Sequence, residues 1–352
     1  MSKQNICVIF GGVSSEHDIS KMSAKTVLSN IDYEKYNVFP VFITKDGCWR
    51  LFDGEIEDTT KEDMSPYIKK KAIISPDRED KGLIVFDETG KAENIKIDVV
   101  YPVLHGKNGE DGSVQGLFQL AGIPYAGSGI VGSSVCMDKC MAKILFDAAG
   151  INQAKWVELK KGEKLDKEKV KNHLGYPVFV KPSAAGSSVG VTKVENEKEL
   201  EEAVSLALEH DYKVLIEEAI NAREVEISVM GNLEPICAPF AGEIMPAKEF
   251  YDFDAKYKDE SSKLLMPAPI GEETLEKIKD YAKKAYKICE CRGFSRVDFF
   301  VEKDTGELYL NEINTLPGFT DISMYPKLWR LADISIKEII TKHIELAIKR
   351  ED

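Results

Sequence analysis

A chain of 352 residues has room for two or three domains at about 150 residues each, and its 43% hydrophobic content excludes a largely disordered polymer. Lysine and arginine number 47 against 60 aspartates and glutamates, a net charge of −13, which repels a nucleic-acid backbone and reads as a solubility feature. No apolar run approaches the roughly 18 residues of a membrane span, and the run Ile6 to Phe10 is too short for a signal peptide, so the expectation is a cytoplasmic protein with no nucleic-acid or membrane partner.

Ile6 to Phe10 is a short β-branched run and predicts a strand. Gly11-Gly12 follows as a turn, then a helix over about 20–30 and a second strand over Val38 to Thr44. Strand–helix–strand implies a parallel α/β sheet. The glycines do not complete G-x-G-x-x-G, so the dinucleotide fingerprint is missing. Residues 53–97 are charged and broken by glycine and proline. Short runs such as Leu83 to Phe86 predict hairpin strands, an elaboration of the first domain. Ile97 to Leu104 predicts a buried strand that ends at His105. The character changes near Gly127-Ser128-Gly129. A helix over about 138–149 is stopped by Gly150. A helix over 167–173, strands Pro177 to Lys181 and Val189 to Val194, a helix over 197–209 and a strand Val214 to Glu217 then read as a separate α+β unit. The last third offers a long helix over 272–289 and two strands, Arg296 to Val301 and Glu307 to Ile313. Asp304-Thr305-Gly306 turns between them. The seven cysteines lack zinc-site spacing and are expected reduced, as buried small hydrophobes.

Four places carry candidate chemistry. On a strand, side chains two apart share a face, so Arg296 pairs with Asp298 and Glu312 with Asn314. If the two strands pair, one face collects two carboxylates, an amide and a guanidinium. All-oxygen sets of this kind suit Mg²⁺, and the arginine stabilises developing negative charge. A salt-bridged hairpin face is the plainer alternative. Second, Lys181 opens the small-residue run 181–190, where backbone N–H groups approach phosphates closely; a plain hairpin turn is the alternative. Third, His105 to Gly112 follows a buried strand, where α/β ligand sites lie; it reads equally as a solvated turn. Fourth, Glu16-His17 follows the first strand, with a carboxylate serving its own helix dipole as the alternative.

Together these stretches resemble the D-alanine–D-alanine ligases of the ATP-grasp superfamily. HGKNGEDGSVQG (105–116) is similar to that family's first signature, and the span from Gly293 through RVDFF to NEINTLPG (ending at Gly318) to its second. MDK (137–139), KPSAAGSSVG (181–190) and YDFDAKY (251–257) fall between them in the expected order. The resemblance covers essentially the whole chain. It implies an ATP-grasp fold, α/β and α+β, with a Rossmann-like N-terminal domain over 1–128, a central subdomain over 129–220 and a C-terminal subdomain with the metal site over 221–352. ATP would phosphorylate the carboxylate of the first D-alanine, and the amine of the second would attack the acyl phosphate.

The resemblance also implies roles. Lys139 and Lys181 match the ATP-phosphate lysines, and Lys256 the lysine near the γ-phosphate. Ser187 and Ser188 match a mobile serine loop. Glu217, Glu218 and Ile220 match the adenine contacts, and Glu224 the ribose carboxylate. Asp298, Glu312 and Asn314 match ligands of Mg²⁺ or Mn²⁺, two ions in all, and the family allows activation by a monovalent cation. Arg296 and the Gly318 N–H match the oxyanion stabilisers. Glu16 matches the residue that fixes the first D-alanine, in a hydrogen-bonded triad with Ser187 and Tyr257. His105 lies near the second substrate, and Ser323, followed by Met324, holds its carboxylate. Ala185 stands where many relatives carry Glu or Leu, so backbone must serve there. Tyr257 argues against D-lactate as second substrate. Met324, where resistance-type relatives often have Arg, favours D-alanine over D-serine. The family implies a homodimer by analogy. Rival readings are another ATP-grasp ligase, a regulatory nucleotide binder and a dinucleotide oxidoreductase. The first would not share Glu16, His105 and Tyr257 together. The second would be expected to lose the metal ligands or Arg296, and the third lacks its glycine fingerprint.

Overall fold

The computed structural model describes residues 3–187, 189–245 and 263–350. The expectations for Ser188, Lys256 and Tyr257 lie outside the described residues.

Three sheets organise the described residues. One end of the first, in the order β7-β1-β2, is made by β7 (Val99–Val103), β1 (Gln4–Gly11) and β2 (Tyr36–Ile43), all parallel. Between β1 and β2 runs α1 (His17–Asn30). It starts earlier than the apolar pattern suggests, with Glu16 at its N-cap. The stretch expected as an elaboration of the first domain widens this sheet. Here β3 (Trp49–Leu51), β4 (Lys71–Ile74), β5 (Gly82–Phe86) and β6 (Ala92–Lys96) pair antiparallel in succession beyond β2. Their buried residues Ala72, Ile74, Leu83 and Val85 join the core beneath α2 (Ser113–Ala121).

The second sheet has the order β10-β9-β11-β8, from β8 (Trp156–Lys160), β9 (Val178–Pro182), β10 (Thr192–Val194) and β11 (Lys213–Glu218). β10 is shorter than the sequence suggests. Gly190 has φ +69°, and left-handed backbone does not extend a strand. On this sheet packs α6 (Leu200–His210), while α5 (Lys167–His173) contributes Val170 to the same core.

The third sheet runs β15-β14-β12-β16-β17, with β13 (Ile236–Cys237) added beside β12. Its members are β12 (Ala222–Met230), β14 (Gly242–Met245), β15 (Lys263–Leu265), β16 (Phe294–Glu302) and β17 (Leu308–Asn314). One face is covered by α3 (Ile130–Met137), α4 (Lys139–Ala148) and α7 (Glu272–Ile288). In α7 the apolar residues Ile278, Ala282, Ala285 and Tyr286 fall on one stripe and are fully buried.

β16 and β17 are the predicted hairpin, with one irregularity. Asp298 pairs with Glu312, but the next residue, Phe299, pairs with Leu310. Asn311 is the extra residue of a β-bulge. The bulge lets Leu308, Leu310 and Ile313 all reach the core while Glu312 and Asn314 face the other way.

The chain ends by returning to the first sheet. The helices α8 (Met324–Arg330) and α9 (Ile336–Ile348) share one apolar cluster with β1, β7 and α1. Ser335 and Glu338 form a capping box that starts α9. The imidazole of His343 bridges Tyr101 Oη and Tyr325 Oη, each at 2.8 Å, and stacks on Phe294 at 3.8 Å. All seven cysteines are free thiols. Five are buried as expected, but Cys48 is exposed and Cys237 half-buried. Among the described residues no helix is long and apolar enough to cross a membrane.

Candidate active site

Strand register brings the metal candidates together. Across β12, β16 and β17, Glu226, Asp298 and Glu312 lie in one rung, and Ser228, Arg296 and Asn314 in the next. Like charges directly opposite repel, so this row needs cations. Arg296 supplies one: its Nε and Nη2 donate to the two Asp298 oxygens, each at 2.7 Å. Asn314 Nδ2 donates to Asp298 Oδ2 at 2.9 Å. Burial would push the guanidinium down, but Asp298 and Glu226 outweigh it and hold Arg296 well above its usual range.

The second sheet faces this row. Asp138 caps α4, accepting from Met141 N at 3.2 Å and Ser183 Oγ at 2.7 Å, and it is paired with Lys213. The backbone N–H of Lys139 donates to Ser183 O at 3.0 Å. These ties set Lys139 beneath the serine loop, where its Nζ donates to Ala185 O at 2.7 Å and sits 3.8 Å from Glu312. Glu217 accepts Lys181 at 2.6 Å and Lys143 at 2.5 Å. Burial alone would raise its pKa, yet the two lysines outweigh burial and hold it down to about 2. Lys181 is raised in turn: burial lowers it, and Glu217 more than compensates.

A cavity of about 150 Å³ lies between these two sheets, lined by Lys139, Lys181, Ser187, Glu224, Arg296, Asp298 and Glu312 among others. Seven of the sequence-predicted residues therefore meet at one place. The donor set Asp298, Glu312 and Asn314 is all oxygen and suits Mg²⁺ or Mn²⁺. Among the described residues no three His, Cys, Asp or Glu side chains form a ready-made cage; Arg296 and Asn314 hold Asp298 instead.

The first sheet closes the site from its own side. Glu16 is buried, and two glycine loops press on its carboxylate. A Cβ at Gly106 or Gly186 would come within 2.9 and 3.0 Å of Glu16 Oε2. The serine loop is thus seated against Glu16. Of the expected Glu16–Ser187–Tyr257 triad, Tyr257 lies outside the described residues, and Ser187 Oγ has no hydrogen-bond partner among them, Glu16 included. His105 is buried. Its Nδ1–H donates to Leu316 O at 2.9 Å, which leaves Nε2 as acceptor toward Ser23 Oγ at 3.2 Å. Gly318 packs on Ser323: a Cβ there would lie 2.9 Å from Ser323 Oγ. Ser323 Oγ accepts from Thr320 N at 3.0 Å, and Met324 behind it is buried. Glu218 turns its side chain to Lys155 N, at 2.8 Å, and Ile220 is half-buried between β11 and β12.

Three residues escaped the sequence reading. Lys143 lies four after Lys139, on the same helix face, so spacing could have found it. Glu110 sits in the first signature; its oxygens accept Gly106 N at 2.8 Å and Leu316 N at 2.9 Å. Burial, then Glu16, push its carboxyl up to about 7. Glu226 is visible only once β12 is known to pair with β16.

Known proteins give the same picture. The family models "D-ala D-ala ligase N-terminus" and "D-ala D-ala ligase C-terminus" match residues 5–128 and 145–345. A D-alanine–D-alanine ligase of Acetivibrio thermocellus is 50% identical, over 99% of this chain and 96% of its own. That of Clostridium acetobutylicum is 48% identical, over 99% of both. Among solved structures, a D-Ala:D-Ser ligase from Enterococcus faecalis has a TM-score of 0.89 at 40% identity, covering 98% of this chain and 100% of that one. A D-alanine–D-alanine ligase from Coxiella burnetii has 0.85 at 32%, covering 99% and 96%. Both family models and the full-length relatives agree, and the chain belongs to the D-alanine–D-alanine ligase family.

Proposed function

We propose that this protein joins two D-alanines to D-alanyl-D-alanine at the expense of ATP, the step that supplies the dipeptide of peptidoglycan precursors. The observation that carries the reading is the convergence of Lys139, Lys181, Arg296, Asp298 and Glu312 on one cavity, beside Glu16 and His105. The proposed units 1–128, 129–220 and 221–352 each contain one of the three sheets, and ATP would lie between the second and third. Glu217, Glu218 and Ile220 would meet the adenine and Glu224 the ribose. Lys139, Lys181 and Lys256 would meet the phosphates, with Ser187 and Ser188 closing above.

A carboxylate oxygen of the first D-alanine attacks the γ-phosphorus, and ADP leaves. The amine of the second D-alanine then attacks the acyl carbon, and phosphate leaves. Each step piles negative charge on oxygens in a small space, which fixed cations and N–H donors stabilise. Arg296 and the Gly318 N–H answer the tetrahedral oxyanion. Glu16 holds the first ammonium, with Tyr257 closing over it; His105 and Ser323 orient the second substrate, with Met324 behind. Asp298, Glu312 and Asn314 would hold a divalent cation, Mg²⁺ or Mn²⁺ and two ions in the full site, which when bound offsets phosphate charge. Activation by a monovalent cation, a homodimer and a cytoplasmic location belong to the same proposal.

The solved D-Ala:D-Ser ligase gives D-serine as the second reading. Methyl and hydroxymethyl are poorly separated by an apolar pocket, but Ser323-Met324 favours D-alanine. Phosphate release with ATP, Mg²⁺ and D-alanine, then with added D-serine or D-lactate, decides. D-Alanyl-D-alanine is expected as the main product by mass. A dominant mixed product would move the second site to D-serine or D-lactate, and no release would overturn the substrate assignment.

A further inference from the structure

Glu226 has no part in the chemistry above. It is buried on β12, directly across from Asp298 in register. Its Oε2 lies 3.1 Å from Arg296 Nε, and the same Nε donates to Asp298 Oδ1 at 2.7 Å. One guanidinium is therefore shared by carboxylates of two adjoining strands. A second buried anion on one arginine is costly unless another cation arrives.

That cation has a place to go. Asp298 is a candidate metal ligand whose oxygens now face Arg296 and Asn314. A divalent cation needs at least one of them. Drawing Asp298 toward the metal loosens its hold on Arg296 and sets two cations close together on one sheet face. The guanidinium then needs a second anchor and its charge a second counter-ion. Glu226 meets both needs from the side of Arg296 opposite β17.

We propose that Glu226 is a positioning residue that anchors Arg296 while Asp298 serves the divalent cation, and whose charge lets guanidinium and metal share that face. The inference rests on the ligase reading and on the metal role of Asp298, Glu312 and Asn314.

The test is Mn²⁺ titration of the full chain with ADP, read by electron paramagnetic resonance without turnover, beside steady-state kinetics. Glu226→Gln keeps size and an acceptor but removes the charge. The Mn²⁺ dissociation constant should rise about tenfold or more, and kcat should fall by a similar factor with little change in the KM for D-alanine. Glu226→Asp restores the charge on a shorter arm. It should bind Mn²⁺ within about threefold of wild type yet stay roughly tenfold down in kcat, because the guanidinium is pulled off position. A merely structural Glu226 would lower thermal stability alone, so folded Glu226→Gln with wild-type Mn²⁺ affinity overturns the inference. Should that variant not fold, wild-type kcat in Glu226→Asp overturns it. Wild-type protein that takes up no Mn²⁺ with ADP would instead overturn the metal site itself, and the inference with it.

Discussion

Glu217 carries two lysines on one buried carboxylate, Lys143 at 2.5 Å and Lys181 at 2.6 Å. Lys181 reaches into the cavity; Lys143 does not line it. In the proposed reaction Lys143 would keep Glu217 paired when Lys181 is drawn to a phosphate. Lys143→Met should cost about 3 kcal/mol of stability, since a buried charge loses a partner. The urea midpoint measures it, and the KM for ATP should rise. The sign with pH follows from the depressed value. Stability from Glu217 is complete above its ordinary 4.5 and is lost as pH falls toward about 2. The two-residue repeat of a strand was enough to put Arg296 with Asp298 and Glu312 with Asn314 on one face. Nothing local ties Glu226 to that face, because β13, β14, β15 and α7 lie between it and Asp298 in sequence. The same holds for Glu110 and Leu316, whose contact joins two distant signatures.

At the scale of elements, the predicted strands and helices fell where periodicity put them, and the departures have causes. Gly190 cut β10 short through its positive φ. The strands of 53–97 were legible as hairpins, but their attachment to β2 was not, because Val41–Leu51 and Arg50–Lys71 pairings leave no mark in the local pattern. The loop after β7 is held differently from a strand. Glu110 clasps Gly106 N and Leu316 N with separate oxygens, so it ties the His105 loop to the end of β17. An amide offers only one acceptor oxygen and would set its NH₂ against the other N–H. Glu110→Gln should therefore destabilise the protein by about 1–2 kcal/mol, measured by denaturant unfolding, and lower kcat through a misplaced His105.

Across the whole molecule, the sheets at the two ends of the chain share one core. Tyr101 of β7, Phe294 of β16 and Tyr325 of α8 surround His343. Burial holds this imidazole down to about 3, so it is neutral in the folded state and takes a proton near 6.5 only when unfolded. Its contribution is complete above pH 6.5 and is lost as pH falls toward about 3. Denaturant midpoints should decline through that window, and His343→Gln should flatten the decline. The family's whole-chain motifs made the overall architecture legible, whereas this meeting of the chain's two ends carries no sequence pattern of its own. It has a consequence for biosynthesis. Ile6, Val8 and Tyr101 wait for Ile339, Ile340 and Ile344 to cover them, and α9 is translated long after β1. Until it arrives, α1 covers only part of that apolar face, and the rest is exposed to wrong partners. A ribosome that stalls before α9 would release a chain prone to clump rather than a smaller working unit.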